Sequence, residues 1–167
     1  GNFLYVAVES SRSGFVSLCL VDGDSVRILH ASAALGSVRY GRSGATWSSP
    51  DTAFVYGMRN TDTTDSARHE RQSYLAQHGW VATTVRMGRG FQHEMQIALE
   101  HLGRAPRIAV AFFVIGTGDA WSIQRWPDDL SAQDGCNDAN LVRGSVPRGL
   151  RFDPSAWAEL RFSAGLG

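Results

Sequence analysis

The stretch Arg107–Ile115, with the sequence RIAVAFFVI, decides the fold class of this chain. Most of its residues are β-branched or aromatic, which favours a strand, and residues 108–115 are apolar without interruption. A strand with one face in water would alternate apolar and polar residues, so this pattern predicts burial on both faces. It is also the longest apolar run of the chain, far below the roughly 18 residues that a membrane-spanning helix needs. No direct membrane insertion is therefore expected.

Shorter apolar runs, many with a period of two, surround this strand and are bounded by Gly, Asp, Asn and Ser. Residues 15–21 and 26–30 are predicted to form a hairpin, because the turn Asp22-Gly23-Asp24 separates them. Further strands are predicted at residues 4–8, 37–40, 53–58, 80–87, 92–99 and 158–162. Residues 31–35 are compatible with a single helical turn, and residues 116–147 are predicted to be a long loop.

One helix is predicted over residues 65–77, where Ala67, Tyr74 and Leu75 recur at helical spacing. The possible N-terminal caps are Thr63, Thr64 and Asp65. Gly79 is expected to end the helix, because this position favours a left-handed residue. Its other face is charged or polar and is expected to be solvated: Arg68, Glu70, Arg71 and Gln72.

These elements predict one domain rather than several. The 167 residues contain no internal repeat, linker or low-complexity segment, and this length suits a single core. About nine short strands with turn signals and one helix indicate an all-β fold, mainly an antiparallel β-sandwich, with one lateral α-helix.

The charge of the chain excludes several partners and chemistries. Its formal net charge is zero, so it lacks the positive excess expected of a nucleic-acid-binding protein. All 16 basic residues are Arg. The absence of Lys excludes Schiff-base chemistry and the phosphate-binding lysine of a P-loop.

The two cysteines, Cys19 and Cys136, allow one intramolecular disulfide. Such a bridge would suit an oxidising compartment, whereas the alternative is two unpaired thiols with Cys19 buried as a small apolar residue. The chain opens at Gly1 directly into a strand, without a Met or a leader, as expected of a piece cut from a precursor or lacking its first residues. We expect an extracytoplasmic protein, periplasmic or secreted.

Four short segments resemble the DOMON-like β-sandwich superfamily, in particular family 9 carbohydrate-binding modules. They are NFLYVAVE at residues 2–9, EMQIALEHLG at 94–103, RIAVAF at 107–112 and DPSAWAEL at 153–160. The resemblance implies a jelly-roll-like sandwich with a ligand site in loops at one end. The helix, the long loop 116–147 and the missing strand before Leu4 depart from the carbohydrate modules.

Five tryptophans must be divided between the core and a site. Trp157, which matches the closing tryptophan of the resembling modules, and Trp80, which begins an apolar strand, are predicted to be core residues. The predicted ligand-binding residues lie in or beside loops and combine flat rings with polar groups, as carbohydrate binding requires. They are Trp47, Trp121, Gln124, Arg125 and Trp126. The alternative is that these rings only pack the long loop onto the sandwich.

Two cofactors are considered. Several oxygen donors that suit calcium lie in one loop, although acidic loops are often only solvated: Asp128, Asp129, Asp134, Asn137 and Asp138. Some relatives in the resembling superfamily bind haem b through Met with His or Lys. The pairs to consider here are Met58 with His93 and Met87 with His93, but buried Met more often packs than ligates.

The sequence predicts a binding protein and not an enzyme. It contains no Gly-x-Ser-x-Gly, His-Glu-x-x-His or Cys-x-x-Cys motif. The predicted function is that of a non-catalytic module for carbohydrate or a similar polar ligand. The rival is a protein-docking accessory subunit on the periplasmic or outer face of a larger membrane complex, for example an energy-transducing assembly, with the helix face or the 116–147 loop as its contact surface.

Overall fold

The computed structural model describes residues 2–32, 34–48, 55–59, 64–103, 106–115, 121–130, 149–150 and 153–162. The strands are β1 (Phe3–Ser10), β2 (Gly14–Asp22), β3 (Ser25–Ala31), β4 (Ala34–Ser43), β5 (Thr46–Ser48), β6 (Val55–Arg59), β7 (Trp80–Met87), β8 (Gly90–Ala98), β9 (Arg107–Ile115), β10 (Trp121–Trp126), β11 (Gly149–Leu150) and β12 (Ala158–Glu159). The helix α1 spans Asp65–His78, and short 3-10 helices span Leu99–His101 and Pro154–Ala156.

The strands form two antiparallel sheets, which confirms the predicted all-β sandwich with one helix. The small sheet has the order β1-β8-β7, and the large sheet has the order β10-β9-β2-β3-β4-β5-β11. Two further strands join the large sheet: β6 pairs with β4, and β12 pairs with β9. In the part of the chain that the structure describes, no helix is long and apolar enough to cross a membrane.

The centre of the large sheet is the pair formed by β2 and β9. Their register runs without a break from Gly14 opposite Val114 to Val21 opposite Arg107. Seven consecutive residues of β9, 108–114, are buried, so the predicted burial of this strand on both faces is confirmed. Both faces of the large sheet therefore carry a core.

The inner core lies between the two sheets and under the helix. Its largest fully buried side chains include Trp80, Leu18, Leu29, Met95 and Ile97. The outer core covers the opposite face of the large sheet, where Trp157, Leu130 and Trp47 pack with the ring of Phe113. Trp80 and Trp157 are 0% and 2% exposed, which confirms both as core residues.

The helix begins and ends where its sequence predicts. The Thr64 side chain accepts a hydrogen bond from the Ala67 amide at 3.3 Å, and Thr64 is the N-cap. Gly79 has a φ of 71°, and a Cβ atom there would lie 2.1 Å from His101 Cδ2. Only glycine fits this position, because the backbone is left-handed and the space is already filled.

Two predictions about local structure are wrong. Residues 31–35 do not form a helical turn, because Ala31 ends β3 and Ala34 begins β4 in a tight connection. The predicted loop 116–147 contains the strand β10, whose pairing with β9 supplies hydrogen bonds that its own polar sequence does not predict. The predicted last strand, 158–162, is shorter and is the two-residue β12.

Arg27 of β3 holds the helix on the large sheet. Its guanidinium donates a hydrogen bond to the carbonyl of His78, the last residue of α1. Burial and the neighbouring charge of Arg39 lower the pKa of Arg27 to about 10, which still leaves it charged at neutral pH. A cation at this end of a helix also interacts favourably with the helix dipole.

We expect Arg27→Gln to lower the free energy of unfolding by about 1–2 kcal/mol, because a hydrogen bond from a charged donor is lost. Urea unfolding followed by tryptophan fluorescence measures this change. Arg39→Gln is the matched control, since it removes an exposed arginine opposite Arg27 and should leave stability unchanged or slightly higher. Equal losses in both variants would contradict the role of Arg27.

Candidate functional site

A groove of about 900 Å³ runs along the edge of the sandwich between β1 of the small sheet and β10 of the large sheet. We call it the edge groove. Its apolar floor is formed by inner-face residues of β1 and β9, namely Leu4, Val6, Val8, Ile108, Val110 and Phe112. Its rim is formed by Tyr5, Gln124, Arg125, Trp126 and Asp128. This volume is in the range of a small-molecule or oligosaccharide site.

The alternation of β1 explains the floor on that side. Its residues are alternately exposed and half-buried from Phe3 to Ser10. Leu4, Val6 and Val8 point toward the large sheet, whereas Tyr5 points outward and is 67% exposed. The inward side chains are only half-buried, because the open groove lies beside them.

Alternation also divides the residues that β10 contributes. Gln124 and Trp126 lie opposite Phe112 and Val110, so they share the inner face with the floor of the groove. Arg125 lies opposite Ala111 on the other face of the sheet. The predicted cluster of adjacent polar and aromatic residues is therefore split between two faces, with Trp126 and Gln124 on the groove side.

Trp126 is the most exposed tryptophan that the structure describes, at 48%. Tyr5 lines the opposite rim, but its ring points outward from β1, so Trp126 is the exposed ring that the described residues place on the inner side of the groove. Asp128 is exposed beside them. The Nε atom of Arg125 is buried and has no hydrogen-bond partner among the described residues, which is costly for a cationic donor.

Two other tryptophans of the predicted site do not join this arrangement. Trp47 is 5% exposed and belongs to the outer core. Its ring lies 5.8 Å from the guanidinium carbon of Arg42, and it lines a separate cavity near Asp153. Trp47 is thus a packing residue rather than part of the groove. Trp121 begins β10 opposite Ile115, but its side chain lies outside the described residues.

The predicted calcium ligands are only partly described. Asp128 and Asp129 are exposed, whereas Asp134, Asn137 and Asp138 lie outside the described residues. Among the side chains that are described, no three His, Cys, Asp or Glu come together as a possible metal site. Calcium binding in this loop stays a prediction.

Cys19 is disulfide-bonded and fully buried in the outer core. The only other cysteine of the sequence is Cys136, which lies outside the described residues.

The structure separates one of the two pairs considered as haem ligands. His93 is 1% exposed, and its Nδ1 lies 3.0 Å from the hydroxyl of Thr84, directly opposite on β7. Met87 is three residues beyond Thr84, so alternation places it on the other face, where it is 58% exposed. It cannot share an axial site with His93. The side chain of Met58 lies outside the described residues.

Tyr5 was not among the predicted site residues, although its role has a sequence signal. In the pattern Phe3-Leu4-Tyr5-Val6-Ala7, the apolar residues Leu4 and Val6 belong to the inner face, so Tyr5 must face out. The sequence does not show that β1 is an edge strand beside β10.

No protein-family model matches this chain, and neither a curated protein nor a solved structure matches it. The groove is therefore interpreted from its own residues.

The buried imidazole of His93 makes stability depend on pH. Burial lowers the pKa of His93 below its ordinary value of about 6.5, so just below that pH the unfolded chain binds a proton that the folded chain does not. The free energy of unfolding is expected to fall as the pH drops below about 6.5. Urea unfolding between about pH 5 and 7.5 measures it, and His93→Gln should remove this part of the slope.

His69→Gln is the matched control, because it removes an exposed histidine of α1 and keeps the buried imidazole of His93. A slope that is the same in His93→Gln and in the native chain would show that other groups cause it.

Proposed function

We propose that this chain is a non-catalytic, extracytoplasmic binding module that holds a carbohydrate or a similar polar ligand in the edge groove. The observation that carries this proposal is the exposed ring of Trp126, which lies with Gln124 on the groove side of β10. Sugars present an apolar C–H face to such rings and hydroxyl groups to nearby polar side chains. Gln124 and Asp128 supply those polar groups at the same rim.

The residues of the groove support binding without catalysis. Hydrolysis of a glycosidic bond ordinarily requires two carboxyl groups that flank the bond. Among the described residues that line the groove, Asp128 is the only carboxylate. The buried His93 is held by Thr84 in the interior and is not a lining residue.

The disulfide supports the proposed location. Cys19 is oxidised although it is fully buried, and stable structural disulfides are typical of secreted and periplasmic proteins. A module in that environment has access to extracellular glycans, which fits the proposed ligand class.

We expect Trp126→Ala to weaken glycan binding at least about tenfold while the protein remains folded, because a stacked ring is lost from an exposed position. A glycan array with neutral and charged oligosaccharides would first identify a ligand, and calorimetry would then compare the variants. Phe162→Ala is the matched control, since Phe162 is similarly exposed, at 46%, but does not line the groove.

Two results would contradict this proposal. The first is that the native chain retains no glycan on the array. The second is that Trp126→Ala and Phe162→Ala bind the identified glycan as well as the native chain, which would place the ligand outside the groove.

A further inference from the structure

We propose that the free edge of β1 is a docking site for one extended segment of a partner protein, which adds to the small sheet as a fourth strand. Within the described residues, β1 pairs only with β8. A strand with an unpaired edge presents a row of backbone donors and acceptors that a second extended chain can bond. This proposal uses the backbone of β1 and does not rest on carbohydrate binding at Trp126.

The backbone groups that face the open edge can be assigned. The Leu99 amide donates to the Asn2 carbonyl at 2.9 Å, and this pair continues the register in which Phe3 lies opposite Ala98. Hydrogen-bonded and non-hydrogen-bonded pairs alternate in an antiparallel ladder. Even-numbered residues of β1 therefore bond β8, while Phe3, Tyr5, Ala7 and Glu9 turn their backbone N–H and C=O groups toward the open edge.

The side chains around this edge determine what kind of segment fits. Leu4, Val6 and Val8 are half-buried beside the groove, and the groove floor on the large sheet is also apolar. A strand added to β1 would turn every second side chain toward this floor. Apolar residues at those positions would complete the inner core along β1.

The groove floor offers no partner for a buried charge. Asp128 is the only carboxylate among the described lining residues, and the one lining cation, Arg125, lies on the outer face of β10. The complementary segment is therefore uncharged in its middle, with apolar residues at alternate positions and small polar residues between them.

The shape of the edge excludes a second copy of this chain that pairs through its own β1. Cross-strand partners share a face, so the large sheet of a second copy would lie on the same side as β10. Gln124 and Trp126 of β10 already occupy the space that faces the open edge of β1 across the edge groove. A single extended segment carries no large sheet of its own, so it can pair with the open edge of β1 without colliding with β10.

The test uses the full chain and a synthetic capped peptide, Arg-Thr-Val-Thr-Val-Thr-Val-Arg, measured by calorimetry. In an antiparallel fourth strand with valines facing the floor, the threonine amides bond β1 and the valine amides point away. Two isomers of equal mass separate these roles, one N-methylated at its three threonines and one at its three valines. We expect the parent peptide to bind with a dissociation constant below about 1 mM. The isomer N-methylated at its valines should bind equally well, and the isomer N-methylated at its threonines should bind at least about tenfold more weakly.

Variants of the chain test the same contact from the other side. Ala7→Pro removes an amide that faces the open edge but does not bond β8, a position at which proline is tolerated in edge strands. It should weaken the peptide at least about tenfold, and Ala7→Ser should not. The N-methylated isomers keep the test decisive if Ala7→Pro does not fold.

Three results would overturn the proposal. They are a parent peptide that does not bind at millimolar concentration, equal binding of the two isomers, and a native mass twice 18.2 kDa that Ala7→Pro abolishes. The last would show that β1 pairs with a second copy and not with a lone segment.

Discussion

The antiparallel pair of β2 and β9 is the constraint on which the rest of the structure depends. It lies at the centre of the large sheet, whose two faces carry the two cores, and residues 108–114 are buried on alternate faces of that sheet. Burial of each large apolar side chain stabilises the fold by about 1.5–3 kcal/mol. Because the β2–β9 pair carries side chains of both cores, it is stabilised from both faces. Arg107 extends this ladder to the closing segment, since it donates to the carbonyls of Ser155 and Trp157 at 3.0 Å.

The edge groove follows from the unequal widths of the two sheets. The small sheet has three strands, whereas the large sheet continues past β9 to β10. The inner face of β10 therefore has no described strand of the small sheet opposite it, and Trp126 remains 48% exposed. The same mismatch leaves β1 with an edge that no described strand pairs. The exposed ring and the free backbone thus have a single architectural cause.

Local signals in the sequence predicted the elements that depend on local physics. Thr64 and Gly79 bound the helix because capping and left-handed geometry are decided within a few residues. The strand β10 was missed because its sequence, WSIQRW, does not alternate regularly between apolar and polar residues. Its extended conformation depends on hydrogen bonds with β9. For the site, the sequence grouped Trp126 with Arg125 in one predicted binding cluster, whereas alternation along β10 places the two side chains on opposite faces. Trp47, which the sequence placed in the same predicted group, is buried in the outer core, and loop composition alone does not reveal what packs above a ring.

The two ligand classes proposed for the edge groove differ in which atoms they need. A carbohydrate depends on particular side chains, chiefly the ring of Trp126, which this fold leaves exposed. An added strand depends on backbone groups of β1, which any sequence with this topology would present. Natural proteins usually protect such edges with charges or proline, yet residues 3–8 of β1 carry neither. An edge whose first six residues lack that protection, beside an apolar floor, favours aggregation unless something covers it, so the backbone edge is the more demanding of the two features to explain.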